Sequence, residues 1–312
     1  MHRHVRSRFT RRAIFGAGLG LGLGAPHTTF GQATPGASPV AGDDYAHPEM
    51  LVDIPWLEAN GDDPPVILVG FMPADDFAQG FIPNSVQIDW PDLEVTDTTN
   101  DSLAAWQVEV ERKLTNLGIS RESTVVAYDE GSLFAARMWW VLHYLGHTDV
   151  RVLDGGLPAW QAAGHELDVD APEPPNPAGV PYRGDPQPDV IAQVAEVEVG
   201  LDDDGVVIVD ARTADEYAEG HIPGAVNVNY PLNALPEPPK FWKPAGELKR
   251  LYGDAGVTTE KHVIPYCSTG VRSAVTCFSL RLIGHENVSL FTGSWAEWTS
   301  YPELPITTGD MP

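Results

Sequence analysis

Cysteine is almost missing from this 312-residue chain: it occurs twice, at Cys267 and Cys277. Two thiols so close in sequence exclude a disulfide scaffold, and no Cys/His spacing suits a zinc centre. Basic residues are also scarce, 19 Lys and Arg against 44 Asp and Glu, for a formal net charge of −25. That balance argues against nucleic acid or an anionic membrane as partner. Any site for an anionic substrate must therefore be made basic locally. No apolar stretch has the length of a stable membrane span; the Gly/Ala/Leu run from Ala13 to Ala25 is too short and too rich in glycine. The acidic run Asp202-Asp203-Asp204-Gly205 lacks the downstream glutamate of a calcium loop and reads as a solvated turn. No metal and no cofactor is expected. Apolar residues, by contrast, make up 43% of the chain and include nine tryptophans, enough for the cores of two domains.

Five arginines (Arg3, Arg6, Arg8, Arg11 and Arg12) crowd the N-terminus, and Thr10-Arg11-Arg12-Ala13-Ile14-Phe15 has a twin-arginine arrangement. With small residues at Gly31-Gln32-Ala33, residues 1–33 read as an export signal cleaved near Ala33, which places the mature chain in the periplasm or outside the cell. Residues 34–48 then form a flexible tether.

The chain repeats itself. Val66–Trp90 aligns without gaps on Val206–Tyr230, and Tyr128–Trp160 aligns on Tyr266–Trp298. Two blocks in the same order at nearly the same offset mean a duplicated domain, with one copy at 49–165 and the other at 190–308. Between them, residues 166–189 hold the proline cluster Ala171–Pro181 with Pro186 and Pro188. So many prolines exclude a helix or a central strand and predict an extended linker. Within each copy, short β-branched runs alternate with helical stretches, which predicts an α/β fold with a parallel sheet covered by helices on both faces. In the second copy strands are expected at Val206–Val209, Ala225–Val228, Val263–Tyr266 and Val288–Phe291. Helices are expected at Ala214–Glu219, Ala245–Ala255, Ser273–Ile283 and Ser294–Ser300.

Ligands of such sheets bind beyond the carboxyl ends of the strands, and Cys267 stands at one. It begins Cys267-Ser268-Thr269-Gly270-Val271-Arg272, where an apolar strand runs through a glycine-containing loop into a helix. Successive backbone N–H groups and a helix N-terminus favour a thiolate there and bind an anion above it. Cys277, further along the helix, reads as core, with a resolving thiol as the alternative.

Taken together, Val209-Asp210-Ala211-Arg212, the segment Glu216–Ala225, the Cys267 loop and the closing Gly293-Ser294-Trp295-Ala296-Glu297-Trp298 resemble the rhodanese family in its two-domain form. The resemblance covers about Glu49 to Thr308. It implies two tandem rhodanese-like domains and a sulfurtransferase in which Cys267 takes sulfane sulfur from thiosulfate as a persulfide and passes it to cyanide or a thiol. Main-chain amides of Ser268, Thr269, Gly270 and Val271, with the guanidinium of Arg272 and a second from Arg212, would bind the small anionic donor. A structural ion pair of Arg212 with Asp210 or Glu216 is the other reading. Relatives that act on phosphate or arsenate carry a seven-residue loop, and the six residues here favour sulfur.

The first copy departs at Asp129, which stands where the second has Cys267, and at Gly70-Phe71-Met72, which replaces Asp210-Ala211-Arg212. A carboxylate cannot carry sulfur, so this domain is expected to be silent and to wall one side of the cleft. The donor is less sharply marked. Ser268 and Thr269 stand where thiosulfate-preferring relatives often have basic residues, while Phe81 replaces a histidine of mercaptopyruvate-preferring ones. Thiosulfate is the first expectation, 3-mercaptopyruvate the second, and a non-turnover persulfide carrier for a periplasmic partner the third. A chain that holds its own pseudo-dimer is expected to be a monomer.

Overall fold

The computed structural model describes residues 44–63, 65–170, 177 and 179–311. The expected signal, residues 34–43 of the tether and most of the proline cluster lie outside the described residues. No helix among the described residues is long and apolar enough to cross a membrane.

The first domain runs β1 (Leu51–Val52), α1 (Ile54–Asn60), β2 (Val66–Phe71), α2 (Ala74–Phe77), β3 (Val86–Ile88), α3 (Asn100–Asn116), β4 (Thr124–Tyr128), α4 (Ala135–Tyr144), β5 (Val150–Leu153) and α5 (Gly156–Ala162). Its five strands lie in the order β1-β5-β4-β2-β3, all parallel. Successive strand side chains point to opposite faces, and both faces are covered. Val69 and Phe71 meet the layer built on Trp106, Val110, Leu114 and Trp140 of α3 and α4. Leu68 and Met72 meet Ile54, Leu57, Phe77 and Trp160 of α1, α2 and α5.

The second domain repeats the plan with α6 (Val194–Gly200), β6 (Val206–Asp210), α7 (Ala214–Glu219), β7 (Val226–Asn227), α8 (Ala245–Asp254), β8 (His262–Tyr266), α9 (Val271–Leu282) and α10 (Ser294–Trp298). Strands β7-β6-β8 form a parallel sheet. The strand expected at Val288–Phe291 is reduced to two parallel bridges, Val263↔Val288 and Ile191↔Leu290. The reason lies in β8. Where β4 has Ala127, β8 has Pro265, which has no N–H to donate to the neighbouring segment. Phe291 N still donates to Pro265 O, so the segment keeps its place beside β8.

Helices α4 and α9 pack on each other across the domain boundary, with Trp139 meeting Phe278 edge-on at 5.1 Å between ring centroids. One apolar cluster includes residues of both domains, from Val69 and Trp140 to Val209 and Phe278. Glu297 of α10 accepts bonds from Thr98 N (2.8 Å) and Thr98 Oγ1, and Asp154 accepts from Trp242 N at 2.9 Å. The described part of the linker runs back along the first domain. Gly184 N donates to Glu111, and Asp185 N and Gln187 N donate to Leu145 O and Tyr144 O.

Candidate active site

Cys267 follows the last residue of β8, and α9 begins four residues later. Between them the chain turns through Gly270, whose φ of +87° is left-handed. A Cβ there would approach Thr292 O to 2.6 Å and Thr292 Oγ1 to 2.7 Å, so only glycine fits. The turn aims the Gly270 N–H at the Cys267 sulfur, with N to Sγ at 3.2 Å. The thiol is 1% exposed, yet it faces a main-chain donor within its own loop.

The closing motif holds this loop from behind. Trp295 N donates to Cys267 O and Ala296 N to Ser268 O. Ser294 Oγ accepts from Cys267 N at 3.2 Å and donates to Phe291 O at 2.8 Å. To do so Ser294 adopts φ +57°, a conformation that costs a non-glycine residue about 1–2 kcal/mol. Such strain persists where surrounding contacts impose it, here directly behind the cysteine.

Arg272, in the first turn of α9, is fixed from two sides. Its Nη1 and Nη2 donate to the two Glu216 oxygens at 2.7 and 2.8 Å, and Nη2 also donates to Ser268 Oγ at 2.6 Å. The bonds from Arg272 hold the Glu216 carboxyl down to about 2. The bonds to Glu216 in turn raise the Arg272 pKa against the opposing effect of burial. The guanidinium beside the sulfur is therefore permanently charged and oriented. Thr269 is partly exposed and Val271 is buried at the start of α9.

Arg212 makes the ion pair with Asp210 that is the second of the two readings its sequence position allows. Its Nε and Nη2 donate to Asp210, Nη2 to Oδ2 at 2.6 Å, and Nη2 also bonds Gly220 O. The guanidinium lies 4.5 Å from the Trp295 ring centroid and 5.6 Å from that of Tyr266. Burial works against its charge, but the bonds to Asp210 outweigh that and leave its pKa raised. Its bonds to Asp210 and Gly220 O tie the end of β6 to the end of α7. His221 is likewise structural: buried, stacked on Tyr217 at 3.7 Å, with Nδ1 bonded to Tyr217 O. Burial pushes the Cys277 thiol up to about 12, as suits a core residue.

The first copy builds a comparable main-chain cradle around the Asp129 carboxyl group. The Asp129 carboxylate accepts from Gly131 N (2.7 Å), Ser132 N (3.0 Å) and Ala135 N (2.8 Å). Burial raises its pKa, and these main-chain donors oppose the shift.

The sequence places Glu216 and Ser294 within motifs, Glu216 also as a partner for Arg212, but gives neither its role beside the loop, and it does not single out Thr292. For Ser294 the signal was present, since a small polar residue after glycine in a motif near a cysteine loop is a candidate for main-chain bonding.

Two tandem domains, each a parallel sheet flanked by helices, the second with a cysteine in a main-chain turn at a strand end, define the class of fold. A rhodanese-like domain matches this chain twice, over residues 53–163 and 193–301, and the chain belongs to that family. Relatives include a sulfur carrier protein, TtuD, of Thermus thermophilus, 32% identical over 293 residues (85% of this chain, 99% of the relative). Another is a thiosulfate sulfurtransferase of Corynebacterium glutamicum, 34% identical over 293 residues (86% of this chain, 93% of the relative). Among solved structures, a variant of EanB with ergothioneine bound is similar with a TM-score of 0.74 and 25% identity, covering 84% of this chain and 71% of that one.

Proposed function

We propose that this chain is a thiosulfate sulfurtransferase working through a persulfide on Cys267. The observation that carries this reading is the Gly270 N–H bond to Sγ, beside an oriented Arg272. The Cys267 thiolate attacks the outer sulfur of thiosulfate. A new S–S bond forms to the enzyme, the old one breaks, and sulfite leaves with its electron pair. Cyanide or a thiolate then attacks the outer sulfur of the persulfide, takes it, and returns the Cys267 thiolate. Loop amides and Arg272 stabilise the anions that exist during both steps. The 25% to 34% identical relatives support the family, and the thiosulfate sulfurtransferase of C. glutamicum supports the donor.

The first domain, with Asp129 at the cysteine position, takes no sulfur in this account. The twin-arginine leader directs the mature protein, a monomer, out of the cytoplasm. A second reading is favoured by the likeness to the T. thermophilus sulfur carrier protein and by the burial of Cys267: the persulfide is passed to a protein partner instead of turned over.

Incubation with thiosulfate and cyanide tests the proposal. Thiocyanate should accumulate over many turnovers, and Cys267→Ala should abolish it. A single equivalent of sulfur loaded without turnover favours the carrier. Rates with thiosulfate and 3-mercaptopyruvate measured side by side decide the donor.

A further inference from the structure

Arg137, on α4 of the first domain, is 0% exposed, the most deeply buried cation among the described residues. Its bonds are to neutral groups: Nη1 donates to Thr292 Oγ1 at 2.9 Å and Nη2 to Leu93 O at 2.7 Å. Its Nε has no partner, and the guanidinium carbon lies 4.8 Å from the Trp140 ring centroid. A guanidinium taken out of water without a bonded anion is costly. Burial accordingly pushes its pKa down to about 10, and the neighbours that act against this are Cys267 first and Glu94 second.

Two residues, Thr292 and Gly270, stand between Arg137 and the sulfur. Thr292, which accepts from Arg137, is also the residue on which the Gly270 backbone rests, and Gly270 N in turn bonds Cys267 Sγ. The repeat gives the second domain no such cation of its own, because the position matching Arg137 is Val275.

We propose that Arg137 is a positioning residue supplied by the first domain: through Thr292 it fixes the Gly270 turn, and its charge is the buried counter-ion of the Cys267 anion. The duplicate that lost its cysteine thus contributes a cation to its partner's site. This rests on the reading that Cys267 works as an anion, and on no particular donor. The other charged groups nearby are Arg272 of α9, clamped by Glu216 of α7, and Glu94, which acts on Arg137.

The test is the pH dependence of Cys267 alkylation by iodoacetamide, located by peptide mapping. Arg137→Met should move the profile upward by about one pH unit or more, and Arg137→Lys should restore most of the wild-type profile. A folded Arg137→Met protein with the wild-type profile overturns the proposal. Should that variant fail to fold, Thr292→Val decides: an upward shift supports the relay, and an unchanged profile overturns it. Neither readout needs sulfur transfer. A protein that shows the shift but never turns over thiosulfate keeps this inference and loses the functional one.

Discussion

At Gly270 a single hydrogen atom in place of a side chain lets the loop close. Gly270→Ala would force a left-handed alanine into Thr292 O at 2.6 Å. The backbone term alone costs about 1–2 kcal/mol. The loop should open, turnover should fall by at least about tenfold, and far-UV dichroism should stay native. His143 acts on stability instead. It stacks on Trp139 at 4.9 Å, and its Nε2 is buried without a partner. Burial, and then Arg281, push its pKa down to about 4. Its folded-state pKa is depressed, so its contribution is complete above the unfolded value of ~6.5. As pH falls from there toward 4, the unfolded chain gains a proton that the folded one refuses. Urea midpoints should decline over that window, by at most about 3 kcal/mol from this group, and His143→Gln should flatten the decline.

Strand ends and helix starts decide the chemistry at the next scale. α7 presents Glu216, α9 presents Arg272, and the pair orients a guanidinium next to a thiol. Because Arg272 holds Glu216 down to about 2, the clamp is intact above the usual carboxylate range and is lost only as pH falls toward 2. Glu216→Gln should leave Arg272 charged but poorly oriented. Cys267 should then alkylate at lower pH while thiosulfate turnover falls about tenfold, a split seen by measuring both on one preparation. Most elements were legible in the sequence, since β-branched runs such as Val206–Val209 and the apolar spacing of α9 set their own periods. Val288–Phe291 was not, because whether a strand forms depends on the donor its neighbour offers, and Pro265 offers none. The strand end at Cys267 and the helix start at Arg272 were expected from the apolar strand, the glycine-containing loop and the helical stretch that follow one another there, and the structure has both. For Arg212 the sequence left two readings open, and the ion pair with Asp210 forms because the chain turns directly after β6 and brings guanidinium to carboxylate two residues apart. Arg137 and Thr292 could not be read, since these residues, 155 positions apart in sequence, meet only when the two domains are packed together.

Across the whole molecule, the two domains share one core. Trp139 of α4 and Phe278 of α9 meet edge-on, and Glu297 and Asp154 each bind main-chain N–H groups of the opposite domain. Unfolding in urea is therefore expected to be a single transition reported alike by dichroism and tryptophan fluorescence. Trp139→Ala should lower stability by roughly 3–5 kcal/mol and slow sulfur transfer, although Trp139 belongs to the domain without the cysteine. Two separate transitions in the wild-type protein would contradict a shared core. The most direct measurement of the central claim is the intact mass of the protein after brief exposure to thiosulfate at neutral pH. The expected result is a gain of one sulfur atom, mapped to Cys267, removed by cyanide and absent from Cys267→Ala. An unchanged mass, or the same gain in Cys267→Ala, would contradict the account.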